Sequence, residues 1–392
     1  MRILHTADWH VGKPLRGRSR LDEHRAVLAE LVSIAEHFDV DVVVVSGDVF
    51  DAASPPPEAE RLVYKTLLDL AGDQRQVILI AGNHDSARRL QAIAPLAVLG
   101  RISVQPFVAP PADGGVVEVT TRRGERLVAA LLPWLSQRYV VTADALLNKD
   151  ADQHQLAYQE RVRSVVAALT TPFGGRSTNV VVGHLHALGG LTGGGERPAH
   201  TVLDYAVPAT VFPPTAAYVA LGHLHRTQRV DGPAPTWYSG SPLALDFGEQ
   251  ADRKSVLVLE ASPGVPANVQ EVGLQAGRRL ATLEGTVAEL AAQAATVGDD
   301  WLRVVVHEPA RAGLADDVRE MFPGAVDVRV AREDEDPTSD PHRPSRLGRS
   351  PAQLFEEYLR ERKVEDGRLQ RLFEELYEMA SVEEHEEADG AA

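Results

Sequence analysis

Five short segments carry residues able to bind metal ions: Asp8-Trp9-His10, Gly47-Asp48-Val49-Phe50-Asp51, Gly82-Asn83-His84-Asp85, Gly183-His184-Leu185-His186 and Gly222-His223-Leu224-His225. Each follows an apolar run that reads as a strand, and strand ends are where sites assemble in sheets of alternating topology. In an extended chain residues i and i+2 point the same way, so Asp8 with His10, and His223 with His225, are expected to present paired donors to one point. The neighbouring glycines let the backbone turn close to that point. Gathering so many polar groups at the edge of a core is costly while they stay unpaired, because each loses its water. A cation removes that cost. Oxygen and imidazole donors without sulfur suit Mn²⁺, Fe²⁺ or Zn²⁺ better than Ca²⁺, Mg²⁺ or Cu(I). Seven donors with one carboxylate shared suit two ions about 3.5–4 Å apart, which activate a water and clamp the attacking and leaving oxygens of a phosphate ester. Taken singly, Asp-x-His reads more readily as a surface pair and Gly-Asn-His-Asp as an ordinary turn. Their joint occurrence, in this order and each after a strand, points to a metal site.

Composition bounds the setting. A chain of 392 residues has room for two or three domains. The longest apolar runs, Val42–Val45 and Val77–Ala81, are far too short to span a bilayer. The absence of cysteine excludes disulfides, thiolate catalysis and cysteine-bound metals. The opening MRILHTADWH passes straight into a strand pattern with no secretory features, so cytoplasmic residence is expected. The net charge of −16 argues against nucleic acid at first sight. Residues 351–392, however, hold five basic and thirteen acidic residues, so half of that charge sits in one terminal segment and the body is only mildly acidic.

The elements that position the five segments alternate in the first half. Strands at Ile3–Thr6, Val42–Val45 and Val77–Ala81 are separated by helical patterns at Arg20–Phe38 and Pro57–Ala71. Such alternation implies parallel strands covered by helices. Strands at Val116–Thr121, Leu127–Leu132, Asn179–Val182, Tyr218–Leu221 and Ser255–Glu260 follow, with a helix near Gln153–Leu169. From Arg278 to Arg332 the pattern resets to strand, helix, strand, helix, strand, compact enough for a small α+β unit. The expected organisation is therefore a main domain at 1–274, a small α+β capping domain at 275–333, a polar linker at 334–350, amphipathic helices at 351–380 and a disordered acidic tail at 381–392.

The five segments reproduce, in order, the Asp-x-His, Gly-Asp-x-x-Asp, Gly-Asn-His-Asp, Gly-His and Gly-His-x-His pattern of the calcineurin-like metallophosphoesterases, which the chain resembles. MRILHTADWHVGK, Ser54-Pro55-Pro56, GNHDS, ALGHLHR and Tyr238–Pro242 (YSGSP) make it similar, more narrowly, to the nuclease subunits of bacterial double-strand-break repair complexes. The resemblance implies an α/β four-layer sandwich, two mixed β-sheets flanked by helices, with the cap and C-terminal helices appended. It implies two Mn²⁺ per chain, with Fe²⁺ or Zn²⁺ as alternatives. One ion is held by Asp8, His10 and His225, the other by Asn83, His184 and His223, and Asp48 bridges them. His84 is then the catalytic histidine that protonates the leaving 3′ oxygen. Asp51 resembles the partner that orients it, and Asp85 competes for that role. His186 has no counterpart in the pattern and is read as adjacent to the donors rather than one of them.

Lys13, Arg16, Arg18 and Arg20 follow the first metal segment in a Gly- and Pro-containing loop and are candidate phosphate contacts. The resemblance implies DNA as substrate, 3′→5′ exonuclease action on duplex ends, endonuclease action on single strands and hairpins, and nucleoid association. It also implies a homodimer within a heterotetramer, completed by an ATPase subunit whose coiled coil takes up the C-terminal helices. No Gly-x-x-x-x-Gly-Lys-Ser/Thr occurs here, so ATP hydrolysis belongs to another chain. The competing readings are a phosphodiesterase or phosphatase acting on small molecules, and a non-catalytic scaffold.

Overall fold

The computed structural model describes residues 1–135, 151–196, 206–294 and 297–331, with residues 355, 358–360, 368–369 and 372–373 beyond them. Met1–Glu333 form one compact unit and Asp334–Ala392 a second. The expected linker and acidic tail lie outside the described residues. Those described between 355 and 373 are helical, and Phe355 stacks on Phe373 with ring centroids 4.2 Å apart.

The first unit is built on two six-stranded mixed sheets. One has the order β12 (Val265–Gly273), β11 (Ser255–Ser262), β1 (Arg2–Thr6), β2 (Val42–Val45), β3 (Gln76–Ile80), β4 (Ile102–Gln105). The other runs β5 (Val116–Thr120), β6 (Arg126–Leu132), β7 (Thr178–His184), β8 (Tyr218–Gly222), β10 (Thr236–Tyr238), β9 (Gln228–Val230). β1 to β4 are parallel, with β11 antiparallel to β1. β6, β7, β8 and β10 are likewise parallel, flanked by antiparallel β5 and β9.

Side-chain alternation explains the layers. Val42, Val44, Ile78 and Ile80 face Leu127, Ala129, Val180 and Val182 between the sheets. Their neighbours Val43, Val45, Val77 and Leu79 face outward onto α1 (Leu21–His37) and α2 (Pro57–Ala71), which return Val27, Leu31, Val63 and Leu67 at helical spacing. A strand buried on both faces reads as an unbroken apolar run, as Val42–Val45 does. α3 (Ala87–Ala97) also lies on this side, while α4 (Ala151–Leu169) covers the second sheet through Tyr158, Val162 and Val166. The result is helix, sheet, sheet, helix.

Parallel strands β13 (Leu280–Gly285), β14 (Trp301–Val306) and β15 (Ala325–Val330) alternate with α5 (Val287–Gln293) and α6 (Leu314–Met321) around their own core. Leu15, Phe247 and Leu280 form a small apolar joint between this βαβαβ layer and the sandwich.

Candidate metal centre

The donors sit at or just past the ends of β1, β2, β3, β7 and β8, but strand alternation is not what aligns them. Asp8, His10 and Asp48 have φ of 53°, 45° and 51°, and His223 has 106°. Left-handed backbone costs a non-glycine residue about 1–2 kcal/mol. Such strain persists only where the surroundings enforce it. The expectation that Asp8 and His10 converge as i and i+2 of an extended strand is corrected accordingly. They converge through two backbone reversals, with the fully buried Trp9 between them anchored by its indole N–H on Thr6 Oγ1 at 3.0 Å.

Neighbouring loops are zipped together. The N–H groups of Asp8 and His10 donate to the carbonyls of Gly47 and Asp48, both at 3.0 Å. The N–H of His84 donates to Asp48 Oδ1 at 2.7 Å, and that of His223 to Asp8 Oδ1 at 2.9 Å. Gly82 is required by contact alone, since a Cβ there would lie 2.1 Å from Asp48 Oδ1. Asp85 clasps two of these loops, its carboxylate accepting the N–H of Phe50 at 3.0 Å and of Gly82 at 2.9 Å.

Three overlapping groups bring one donor atom from each member within 4.8 Å of one another: Asp8, His10 and His225; Asp8, Asp48 and His184; and His10, Asp48 and His84. Asn83 Oδ1 lies 2.9 Å from His184 Nε2 and 2.9 Å from His223 Nδ1. Asp48 Oδ2 stands between the sets, 3.6 Å from His10 Nε2 and 3.4 Å from His184 Nε2. All the expected donors therefore meet in one buried cluster. The fit to cations rests on His10, which is fully buried yet makes no well-aligned hydrogen bond from either ring nitrogen, the Asp51 and Asp48 carboxylates standing off at 3.4 and 3.6 Å. Buried polar atoms rarely stay unsatisfied unless something else binds them.

Charge in the cluster is finely opposed. Burial, partly offset by His184 and His225, pushes the Asp8 carboxyl up to about 7. Burial also opposes ionisation of Asp48, but His184, His10 and His84 together outweigh it and hold its carboxyl well below the usual range. Burial lowers His184 as well, yet the facing Asp48 and Asp8 carboxylates lift it to about 9. His10, for which burial dominates, falls to about 3. Carboxylates this close to imidazoles draw protons in when no metal is bound, and a cation competes for the same place.

The remaining ring nitrogens are tied from behind. His184 Nδ1–H donates to the Ser46 carbonyl at 2.7 Å, His225 Nδ1–H to Glu249 Oε1 at 2.9 Å, and His84 Nδ1–H to the Asp51 carbonyl at 2.7 Å. Each leaves Nε2 facing the cluster. Asp51 thus meets His84 through its main chain, while its carboxylate lies 3.4 Å from His10 Nδ1 and 3.5 Å from Lys13 Nζ. Asp85 is occupied by backbone amides. Sequence reasoning missed Glu249 and Glu196, whose Oε1 accepts the His225 N–H at 2.9 Å, because neither belongs to a metal motif.

Of the four basic residues in the loop only Arg20 is buried, and Arg16 and Lys13 are held by acidic neighbours. Arg20 is corrected as a phosphate contact: its side chain is 1% exposed and bound to Glu23 and the Ala244 carbonyl, so no strand can reach it. Arg16 forks between Asp246 and Asp327, each at 3.2 Å. Arg18 is exposed and lines a recess of about 530 Å³ with Arg278 and Trp301. His186 is buried with Nδ1 unpartnered, its ring 6.2 Å from that of His223.

Among the described residues no helix is long and apolar enough to cross a membrane. Residues 1–227 match the calcineurin-like phosphoesterase family, and residues 276–363 match the family described as the type 5 capsule protein repressor C-terminal domain. Among curated proteins, the SbcD subunit of the SbcCD nuclease of Bacillus subtilis is 39% identical over 284 residues, covering 71% of each chain. Its namesake from Rhodobacter capsulatus is 38% identical over 67% of each chain, and that of Escherichia coli K12 is 32% identical over 79% of this chain and 76% of its own.

Proposed function

Because the chain belongs to the calcineurin-like phosphoesterases and, within them, to the SbcD subunits of SbcCD nucleases, we propose that it cleaves DNA with two Mn²⁺ ions as the nuclease of an SbcCD complex. The observation that carries the reading is the place of Asp48, between one donor set of Asp8, His10 and His225 and another of Asn83, His184 and His223. These residues would hold the ions, with Asp48 shared. When bound, the pair supplies charge neutralisation at the phosphate and activates water for in-line attack.

The protein's own groups do the rest. His84, with Nδ1 held by the Asp51 carbonyl, presents Nε2 as the atom that takes up a proton and releases it to the leaving 3′ oxygen. Cleavage then leaves 3′-hydroxyl and 5′-phosphate ends. Asp51 keeps a positioning part through its carbonyl. We assign Lys13 and Arg18 as the phosphate contacts of the basic loop; Lys13 would first have to leave Asp51, and Arg16 its two aspartates.

The substrate repertoire we assign is 3′→5′ exonuclease action on duplex ends and endonuclease action on single strands and hairpins, in the cytoplasm and controlled by the SbcC ATPase. The division into a nuclease domain at 1–274, a cap at 275–333 and SbcC-binding helices at 351–380 belongs to the same reading. Exposed Leu68, Leu96, Val98 and Leu99 on and after α2 and α3 support a homodimer through these helices, within a heterotetramer. The test is cleavage of a labelled hairpin duplex by purified protein with Mn²⁺, beside Asp48→Ala and His84→Ala. Loss of cleavage in both variants, with no faster hydrolysis of cyclic nucleotides by the wild type, is the expected result. Unchanged cleavage by Asp48→Ala refutes the reading.

A further inference from the structure

Glu249 is fully buried, lies outside every metal motif, and carries no surface contact that would explain a carboxylate in the interior. Isolated burial of such a charge costs several kcal/mol, so its partners define its purpose. Oε2 accepts from Lys254 Nζ at 2.6 Å, the Leu245 N–H at 3.0 Å and Ser241 Oγ at 3.3 Å. Oε1 faces His225 Nδ1 at 2.9 Å. A carboxylate salt-bridged to lysine has no proton to give, so Nδ1 of His225 carries the hydrogen and the lone pair of that ring lies on Nε2. Lys254 Nζ also reaches the His225 carbonyl at 3.1 Å, so the same cation holds ring and main chain in register. The arrangement is closed to water by a glycine segment, where a Cβ on Gly195 would lie 2.0 Å from Glu249 Oε1.

The two donor sets differ in this respect. His184 is backed by a main-chain carbonyl, that of Ser46, which no side-chain change removes. His225 is backed by a charged pair. We propose that Glu249, braced by Lys254, is a positioning residue for His225: it sets the ring's orientation and tautomer so that Nε2 completes the donors of Asp8 and His10, and it thereby sets the metal affinity of that site alone. The inference rests on the two-metal reading above. Partners placed behind metal-binding histidines are typically worth about 10–100-fold in affinity.

The experiment is Mn²⁺ titration of chelator-stripped full-length protein by calorimetry, with Mn²⁺ electron paramagnetic resonance to report the spin-coupled pair. The proteins are wild type, Glu249→Gln, Lys254→Met and the double variant, which removes both charges together and so keeps the interior neutral. Wild type is expected to bind two Mn²⁺ with a coupled signal. Each variant is expected to weaken one site about 10–100-fold, leave the other within twofold, and show an uncoupled signal at limiting Mn²⁺. Wild-type affinities at both sites in the folded double variant overturn the positioning role, and so does equal weakening of both sites, which a merely structural part would produce. Fewer than two Mn²⁺ bound by the wild type overturns instead the reading on which the inference stands.

Discussion

Replacing Asp85 with alanine separates its structural work from the catalytic part that Gly-Asn-His-Asp suggests. Its two carboxylate oxygens take the amides of Phe50 and Gly82, from the loops that carry Asp48 and Asn83. A buried amide left without an acceptor costs about 1–3 kcal/mol, so Asp85→Ala should lose about 2–6 kcal/mol. Asp85→Asn keeps one oxygen and turns its amino group toward the other N–H, so about 1–3 kcal/mol is expected. The assay is urea unfolding of metal-free protein near pH 8, because burial, aided by Asp48, pushes this carboxyl up to about 7 and both oxygens accept only above that. Mn²⁺ affinity should fall with stability in both variants, since both loops loosen. An alanine variant within 1 kcal/mol of wild type at that pH would refute the clasp and return Asp85 to the candidates for orienting His84.

Other outcomes follow from single contacts. A Cβ on Gly222 would lie 2.1 Å from the Ser46 carbonyl oxygen, so Gly222→Ala should push the sheets apart at the site, costing about 1–3 kcal/mol or more in thermal unfolding; Gly175→Ala, with nothing within 4 Å, should stay within about 0.5 kcal/mol. Burial holds His5 at about 3 rather than 6.5. The unfolded chain therefore takes a proton below pH 6.5 that the folded chain refuses, and stability present above pH 6.5 is lost as pH falls toward 3. Between pH 7.5 and 4.5 the urea stability of His5→Gln should vary by about 3 kcal/mol less than that of wild type. Saturating Mn²⁺ at about 100 times the dissociation constant of each site should stabilise the folded chain by about 2.7 kcal/mol per ion, about 5 kcal/mol for the pair, in calorimetry, and a chelator should remove that gain.

The residues legible in the sequence are those in apolar runs or helical stripes, and the acids and imidazoles that follow them. Val42–Val45 announces a strand buried on both faces, and α1 and α2 show their apolar stripes. Asp8, Asp48, His184 and His225 stand out because acids and imidazoles after strand ends have few other uses. β4, α3 and β12 are far less legible, for their residues are mostly half-exposed and no long apolar run marks them. Arg20 misleads because a basic loop looks the same whether its charge faces solvent or Glu23.

Main-chain function leaves a fainter trace still. The Asp51 carbonyl on His84 and the Ser46 carbonyl on His184 would be present with any side chain at those positions. What does mark them is glycine, for Gly82 and Gly222 each sit where a Cβ would strike Asp48 or Ser46. The same close approaches join the sheets, since His184 on Ser46, His223 on Asp8 and Ser46 Oγ on the Ala220 carbonyl all cross from one to the other. The donor cluster is therefore part of the sandwich joint itself. A change that opens the joint removes donors from both sets at once, whereas one behind His225 reaches a single set, and the difference between those two patterns of metal loss separates folding from positioning at this site.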